Sequence, residues 1–301
     1  MSAAAVDCAL TVNAGSSSIK YALFERGSDS AKPLMAGQIE GLGVGAVDHA
    51  RGMALVLERV ASGAGQAHRI VHGGSAFVQP VLIDDPVLQA LQALAPLAPL
   101  HQPHNLRGVA PAQAAFPAVP QVACFDPAFH RTQAEVHQRF ALPAVWHDAG
   151  VRRYGFHGLS YESICAQLAT DEPALAAGRV IVAHLGNGAS MCAIAGGRSV
   201  ATTMSFSPLD GLTMGTRCGR LDAAVVLHLI DHHGMDTAAV SDLLHKQSGL
   251  LGLSGLSADM RTLLASEAPA ARLALEHFVE SAVRELAAWG VPWSRVRQGD
   301  R

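Results

Sequence analysis

No stretch of this 301-residue chain holds the roughly 20 uninterrupted apolar residues that a membrane-spanning helix requires, although 50% of its residues are hydrophobic. Its positive mean hydropathy, +0.23, comes instead from abundant Ala, Leu and Val. The N-terminus, MSAAAVDCALTV, lacks the basic region of a secretory signal and carries an acid ahead of its apolar run, which points to a cytoplasmic protein. Charge is scarce and nearly balanced. With 22 Lys and Arg against 25 Asp and Glu, the net charge of −3 offers no basic stripe for a nucleic acid and no polybasic cluster for a membrane surface. A small-molecule partner is the class that these absences leave. The five cysteines (Cys8, Cys124, Cys165, Cys192, Cys218) are odd in number and never spaced CxxC, so neither a disulfide framework nor a zinc site is indicated. They read as mostly buried thiols acting as small hydrophobes. Two phosphate-binding signatures are missing as well: neither NAGSSS nor HLGNGAS matches GxxxxGK[ST] or a strand–GxGxxG–helix unit, which counts against the P-loop and dinucleotide-binding readings.

What is present is strand and helix in alternation. Residues 9–13 and 19–25 read as a strand pair, and GQIEGLG supplies a third strand. Residues 46–61 and the segment PVLQALQALAPL have helical period; HRIVHGG and QVACFD are short β-branched or apolar runs that end in turn glycines and an acid. This order predicts a layered α/β protein, and the length predicts two domains, 1–145 and 146–301, with the change of region in the turn-rich stretch WHDAGVRRYGFHGLS.

Two stretches share one plan. In LTVNAGSSSIKYALF and VIVAHLGNGASMCAIAGG a strand, a turn of small residues and a second strand follow one another. A gapless placement of Gly15 on Gly186 sets Asn13 on His184, Ser16 on Asn187, Ala22 on Ala193 and Leu23 on Ile194. The pattern permits two readings: ordinary β-hairpins, which look alike, or a duplicated α/β fold with one such hairpin per half. Under the second, the two turns suit a polyphosphate, because backbone N–H groups of small-residue turns are exposed donors that an anion can approach closely.

Other stretches carry candidate chemistry. Arg69, at the head of HRIVHGG, is either a surface charge or a clamp for a carboxylate or phosphate; Val71 shares its face and His72 lies opposite. Arg217 lies in the glycine-dense SFSPLDGLTMGTRCGRLD, a segment too punctuated to be regular structure throughout. Asp126 precedes Pro127, which favours an extended residue at a strand's carboxyl end; it either faces a ligand crevice or caps a helix. RRYGFHGLS presents Phe156 and His157 between two glycines.

Together VNAGSSSIKYALF, HRIVHGG, LAPLHQPHN, CFDPAFHRT, RRYGFHGLS, AHLGNGAS, PLDGLTMGTRCG and SGLLGLSGLSADMR, in this order from residue 10 to about residue 261, resemble the acetate kinase family of short-chain acyl kinases. The resemblance implies two duplicated ribonuclease-H-like lobes with a nucleotide cleft between them. It also implies reversible transfer of the γ-phosphoryl group of ATP, with Mg²⁺, to acetate or another short-chain carboxylate such as propionate. Two-fold homodimers are common in that family. By the same resemblance Arg69 and Arg217 meet the substrate carboxylate and the transferring phosphoryl oxygens, to which His157 donates. Asp126 orients the acyl group or Mg²⁺, with Asn13 as a second metal-side oxygen. Asn13, Ser16, Ser18 and Lys20 line the phosphate path, and His184, Gly186, Asn187 and Gly188 form the opposing turn. Asp259, Met260 and Arg261 lie by the adenosine. Val71, Leu100, Phe156 and Pro208 make the apolar pocket for the acyl methyl.

The chain departs from the family's pattern at its end. After the helical spacing of Leu275, Phe278, Val279, Ala282 and Leu286, the family leads one to expect a strand, a Gly-Ile-Gly-Glu-Asn type turn and a late Mg²⁺-binding glutamate. The sequence reads AAWGVPWSRVRQGDR instead, with Trp289, Trp293, Arg295, Arg297 and Arg301. The expectation is therefore a second lobe incomplete at its C-terminus, with a frameshift as its cause and a catalytically impaired, nucleotide-binding remnant as the alternative to an active kinase.

Overall fold

The computed structural model describes residues 8–15, 18–25, 32–42, 48–59, 65–99 and 101–290. Ser16, Leu100 and residues 291–301 thus lie outside the described residues. The chain divides into two compact units, 1–128 and 129–301.

In the first unit, strand β1 (Cys8–Ala14) pairs antiparallel with β2 (Ser18–Glu25), which pairs with β3 (Met35–Glu40). Helix α1 (His49–Arg59) leads to β4 (Gly65–Ile70), which returns parallel to β1. The two-residue β5 (Val81–Leu82) and helices α2 (Asp85–Ala93), α3 (Gln102–Arg107) and α4 (Val109–Ala115) precede β6 (Gln121–Phe125), which lies parallel to β4. Among the described residues the sheet order is β3-β2-β1-β4-β6-β5. Alternation along β1 sends Leu10, Val12 and Ala14 to one face, where they pack with Ile19, Tyr21 and the α1 residues Met53 and Val56. A second cluster joins Ile70, Ala123 and Phe125 to Leu91, Leu106 and Val109. The strands are where the sequence places them. The edge strand β5 and the short helices α3 and α4 escape the sequence reading because two to seven residues are too few to show a period.

In the second unit, the short helices α5 (Glu135–Gln138) and α6 (Ala144–Asp148) are followed by α7 (Gly158–Asp171) and α8 (Pro173–Ala176). Then comes an antiparallel meander of β7 (Arg179–Leu185), β8 (Ala189–Ala195) and β9 (Arg198–Thr202). The helices α9 (Ala223–His233), α10 (Thr237–Lys246), α11 (Gly249–Ser254), α12 (Met260–Leu264) and α13 (Pro269–Gly290) complete it. Tyr161 of α7 packs on Val182, Cys192 and Ile194, and Leu250, Leu263, Ala271 and Ala274 join α11, α12 and α13.

The two hairpins differ in ways the gapless placement does not anticipate. Ala14 pairs with Ile19 across a four-residue turn, whereas Leu185 pairs with Ala189 across three residues. By register Ala22 therefore matches Cys192 rather than Ala193, and Leu23 matches Ala193. The buried faces differ too: Leu10 is fully buried while Ile181 is 37% exposed. Two cysteines, Cys8 and Cys192, are buried, but Cys124, Cys165 and Cys218 are only partly covered, because these three border the cores rather than enter them. No helix among the described residues is long and apolar enough to cross a membrane.

Candidate active site

Register brings the first group of side chains together. Val12 pairs with His68 and Arg69 with Cys124, so Asn13, Arg69 and Asp126 stand on one sheet face at the carboxyl ends of the parallel strands β1, β4 and β6. That end of a parallel sheet is where ligands bind in open α/β folds. Arg69 meets Asp126 in fork geometry, with Nε donating to Oδ1 at 2.9 Å and Nη2 to Oδ2, while Nη1 donates to Asn13 Oδ1 at 3.0 Å. Asp126 is buried, whereas the Arg69 side chain is 30% exposed. The adjacent carboxylate raises the Arg69 pKa, against the opposing effect of burial, and keeps the group charged.

Past the end of β4, two side-chain amides take over as ladder partners. Asn105 Oδ1 accepts from Val71 N–H at 2.8 Å and its Nδ2 donates to Ala14 C=O at 2.5 Å. Gln102 Oε1 accepts from His72 N–H at 3.1 Å and its Nε2 donates to His72 C=O at 3.0 Å. The two amides lie three residues apart on one face of α3. Sequence reading assigns them no role; the signal was their i, i+3 spacing inside HQPHN. Gly74 N–H donates to His72 Nδ1 at 2.8 Å, and burial pushes the His72 pKa down to about 4. At the turn itself, Gly15 N–H donates to Ser18 C=O at 2.8 Å and its carbonyl meets His49 Nε2 at 2.6 Å. Lys20 is exposed on β2.

The second unit assembles its own group around the β7–β8 turn. His157 adopts left-handed backbone, φ 59°, at the N-terminus of α7. Such a conformation in a residue other than glycine costs on the order of 1–3 kcal/mol and clusters at functional positions. His157 stacks on His184 with ring centroids 4.1 Å apart. Its Nδ1 lies 2.8 Å from Ser190 Oγ, which is 2.5 Å from the Tyr161 hydroxyl, and His184 Nδ1 lies 3.0 Å from Ser160 Oγ. Sequence reading assigns Ser160, Tyr161 and Ser190 no role; no local motif links the Tyr161 and Ser190 hydroxyls, 29 positions apart. Arg217 Nη1 donates to the Pro208 carbonyl at 2.6 Å. A Cβ at Gly188 would stand 2.6 Å from Arg217 Nη2, and one at Gly215 would overlap Asn187 Oδ1, so a side chain at either glycine would displace the Arg217 guanidinium or the Asn187 amide from its position. Pro208 thus engages Arg217 through its backbone, and Phe156 is buried with its carbonyl accepting from His130.

Beside this turn opens a cavity of about 700 Å³ lined by Gly186, Asn187, Asp259, Met260, Arg261, Leu275 and Phe278. Asp259 caps α12 and accepts from Arg261 at its backbone N–H and guanidinium, which holds its carboxyl down to about 2. Among the described residues no cluster of three or more His, Cys, Asp or Glu side chains could hold a metal ion by itself.

With this geometry in place, the comparisons with known proteins define first a class. A propionate kinase structure from Francisella tularensis superposes with a TM-score of 0.85 at 33% identity, covering 95% of this chain and 80% of that one. An acetate kinase structure from Porphyromonas gingivalis superposes with a TM-score of 0.81 at 33% identity, covering 94% and 79%. The acetate kinase of Methylocella silvestris is 49% identical over 318 residues, 93% of this chain and 78% of that protein. The family model of the acetokinase family matches residues 53–294. The chain belongs to the acetokinase family.

Proposed function

We propose that the protein transfers the γ-phosphoryl group of ATP reversibly to acetate, giving acetyl phosphate and ADP. Family membership supports the reaction, and the observation that carries it to particular residues is the Arg69–Asp126–Asn13 group at the carboxyl ends of three strands. Phosphoryl transfer asks a protein for positioning and for neutralisation of charge spread over three equatorial oxygens. Arg69, held in place by Asp126, presents its remaining edge to the acetate carboxylate. Arg217 and His157 donate to the transferring oxygens, and the backbone N–H groups of Gly186, Asn187 and Gly188 serve the rest of the phosphate chain, with Asn13, Ser18 and Lys20 proposed for the same path. Val71, Phe156 and Pro208 are the apolar residues proposed to meet the acyl methyl.

The donor sets fit the groups the reaction requires. The cavity beside Asp259, Met260 and Arg261 has the volume and the apolar lining of a small-molecule site, suited to an adenosine. Asp126 and Asn13 are hard oxygen donors with lone pairs beyond those Arg69 uses, suited to Mg²⁺, which takes one or two protein oxygens and fills its octahedron with phosphate and water. ATP supplies the phosphoryl group and Mg²⁺ the counter-charge to it. A coupled assay of ATP formation from acetyl phosphate and ADP tests the reading, with propionyl phosphate run alongside. Formation well above an Arg217→Ala control is expected; a rate no higher than that control would leave a nucleotide-binding protein without turnover.

A further inference from the structure

The proposed role of His157 needs a proton on the ring nitrogen that reaches the transferring oxygens, and a neutral imidazole carries only one. Tyr161 and Ser190 are both fully buried, and the Tyr161 hydroxyl lies 2.5 Å from Ser190 Oγ, the one hydrogen-bond acceptor available to its proton among the described residues. Burial pushes the phenol's pKa upward, so that proton stays in place. A buried hydroxyl proton without an acceptor is costly, so Tyr161 donates to Ser190. Ser190 Oγ then has its own proton to place, and among the described residues the other partner within reach is His157 Nδ1 at 2.8 Å. The reverse order, with Nδ1–H donating to Ser190 and Ser190 donating to Tyr161, strands the Tyr161 proton. We propose that Tyr161 and Ser190 are positioning residues which, through the relay Tyr161 O–H to Ser190 Oγ and Ser190 O–H to His157 Nδ1, hold His157 as the Nε2–H tautomer. The residue whose ring meets Ser190 of β8 is also the one held in left-handed backbone. The inference rests on the reading of His157 as a phosphoryl donor, but its physical content is a tautomer that can be observed without turnover.

The experiment is long-range proton–nitrogen NMR of the full chain labelled with ¹⁵N-histidine at pH 8, with His157 assigned by comparison with His157→Gln. A pyridine-type Nδ1 and a pyrrole-type Nε2 are expected, and Tyr161→Phe, which frees Ser190 to accept, should bring in the Nδ1–H form. In steady-state assays of the same variants, Tyr161→Phe should lower kcat about tenfold and leave KM within about twofold, the mark of an interaction expressed in the transition state. Ser190→Thr, which keeps the hydroxyl, should recover most of what Ser190→Ala loses. A wild-type His157 protonated at Nδ1, or a tautomer unchanged in both Tyr161→Phe and Ser190→Ala, would overturn the proposal. An Nε2–H tautomer in a chain that makes no ATP would instead uphold the relay and sink the kinase reading.

Discussion

The two units hold their candidate catalytic side chains by opposite means. In the first, Arg69 is gripped by a buried carboxylate and an amide oxygen. In the second, His157 and His184 are held by the neutral hydroxyls of Ser190 and Ser160. The difference follows from what each group must do. A guanidinium needs a fixed charge and a fixed plane, and a carboxylate supplies both. A carboxylate beside an imidazole would instead favour the protonated ring and exchange one hydrogen-bond pattern for another, whereas a hydroxyl can orient the ring and leave it neutral.

Substitutions can break that contrast, beginning with the largest effect. Arg217→Ala removes the charged donor of the second unit and should lower kcat by about 10²–10³, as loss of one preorganised donor does; initial rates with acetyl phosphate and ADP measure it. Asp126→Ala leaves Arg69 without its counter-charge and should lower unfolding stability by about 3 kcal/mol, at the lower end for a broken buried pair because Arg69 is part exposed. Urea denaturation checks this, and Ser190→Ala should cost about 2 kcal/mol in the same experiment, because it leaves the buried Tyr161 hydroxyl proton without its acceptor. If the two costs proved equal, the contrast between ionic and neutral support would fail.

The histidines differ in a second way. His72 has its pKa pushed down to about 4 by burial, against 6.5 in an unfolded chain. Because the unfolded chain binds the proton more readily, the His72 contribution is fully present above pH 6.5. It is lost as pH falls toward 4, up to about 3 kcal/mol. Urea midpoints across this range should flatten in His72→Asn, which keeps an acceptor for Gly74 N–H. At the small end, Asp84 caps α2 and Asp236 caps α10 through their side chains, so either change to Ala should cost about 1 kcal/mol by thermal unfolding.

How far the sequence can be read depends on the range of the interaction. HRIVHGG and QVACFD are short runs whose composition and turn residues announce β4 and β6, and parallel pairing then places Arg69 and Asp126 side by side. The choice at Asp126 between a ligand crevice and a helix cap is not decided by Asp-Pro, which suits both; the carboxylate is taken by Arg69, a residue 57 positions away. The shared hairpin plan was visible, but not the one-residue difference in turn length or the opposite buried faces. A run of small residues carries no register, and a strand's covered face is chosen by the helix that packs on it.

By itself the sequence determined the α/β alternation, the strands, the glycine-rich turns and, through motifs in their order, the family. These are local properties or patterns of residue type. The tertiary structure decided which amides continue the ladder past β4, which side chains lie against Gly188 and Gly215, and which hydroxyls stand behind His157. Each of these is a contact between residues far apart in the chain, where geometry at the scale of one hydrogen bond settles the partner and the residue type alone does not.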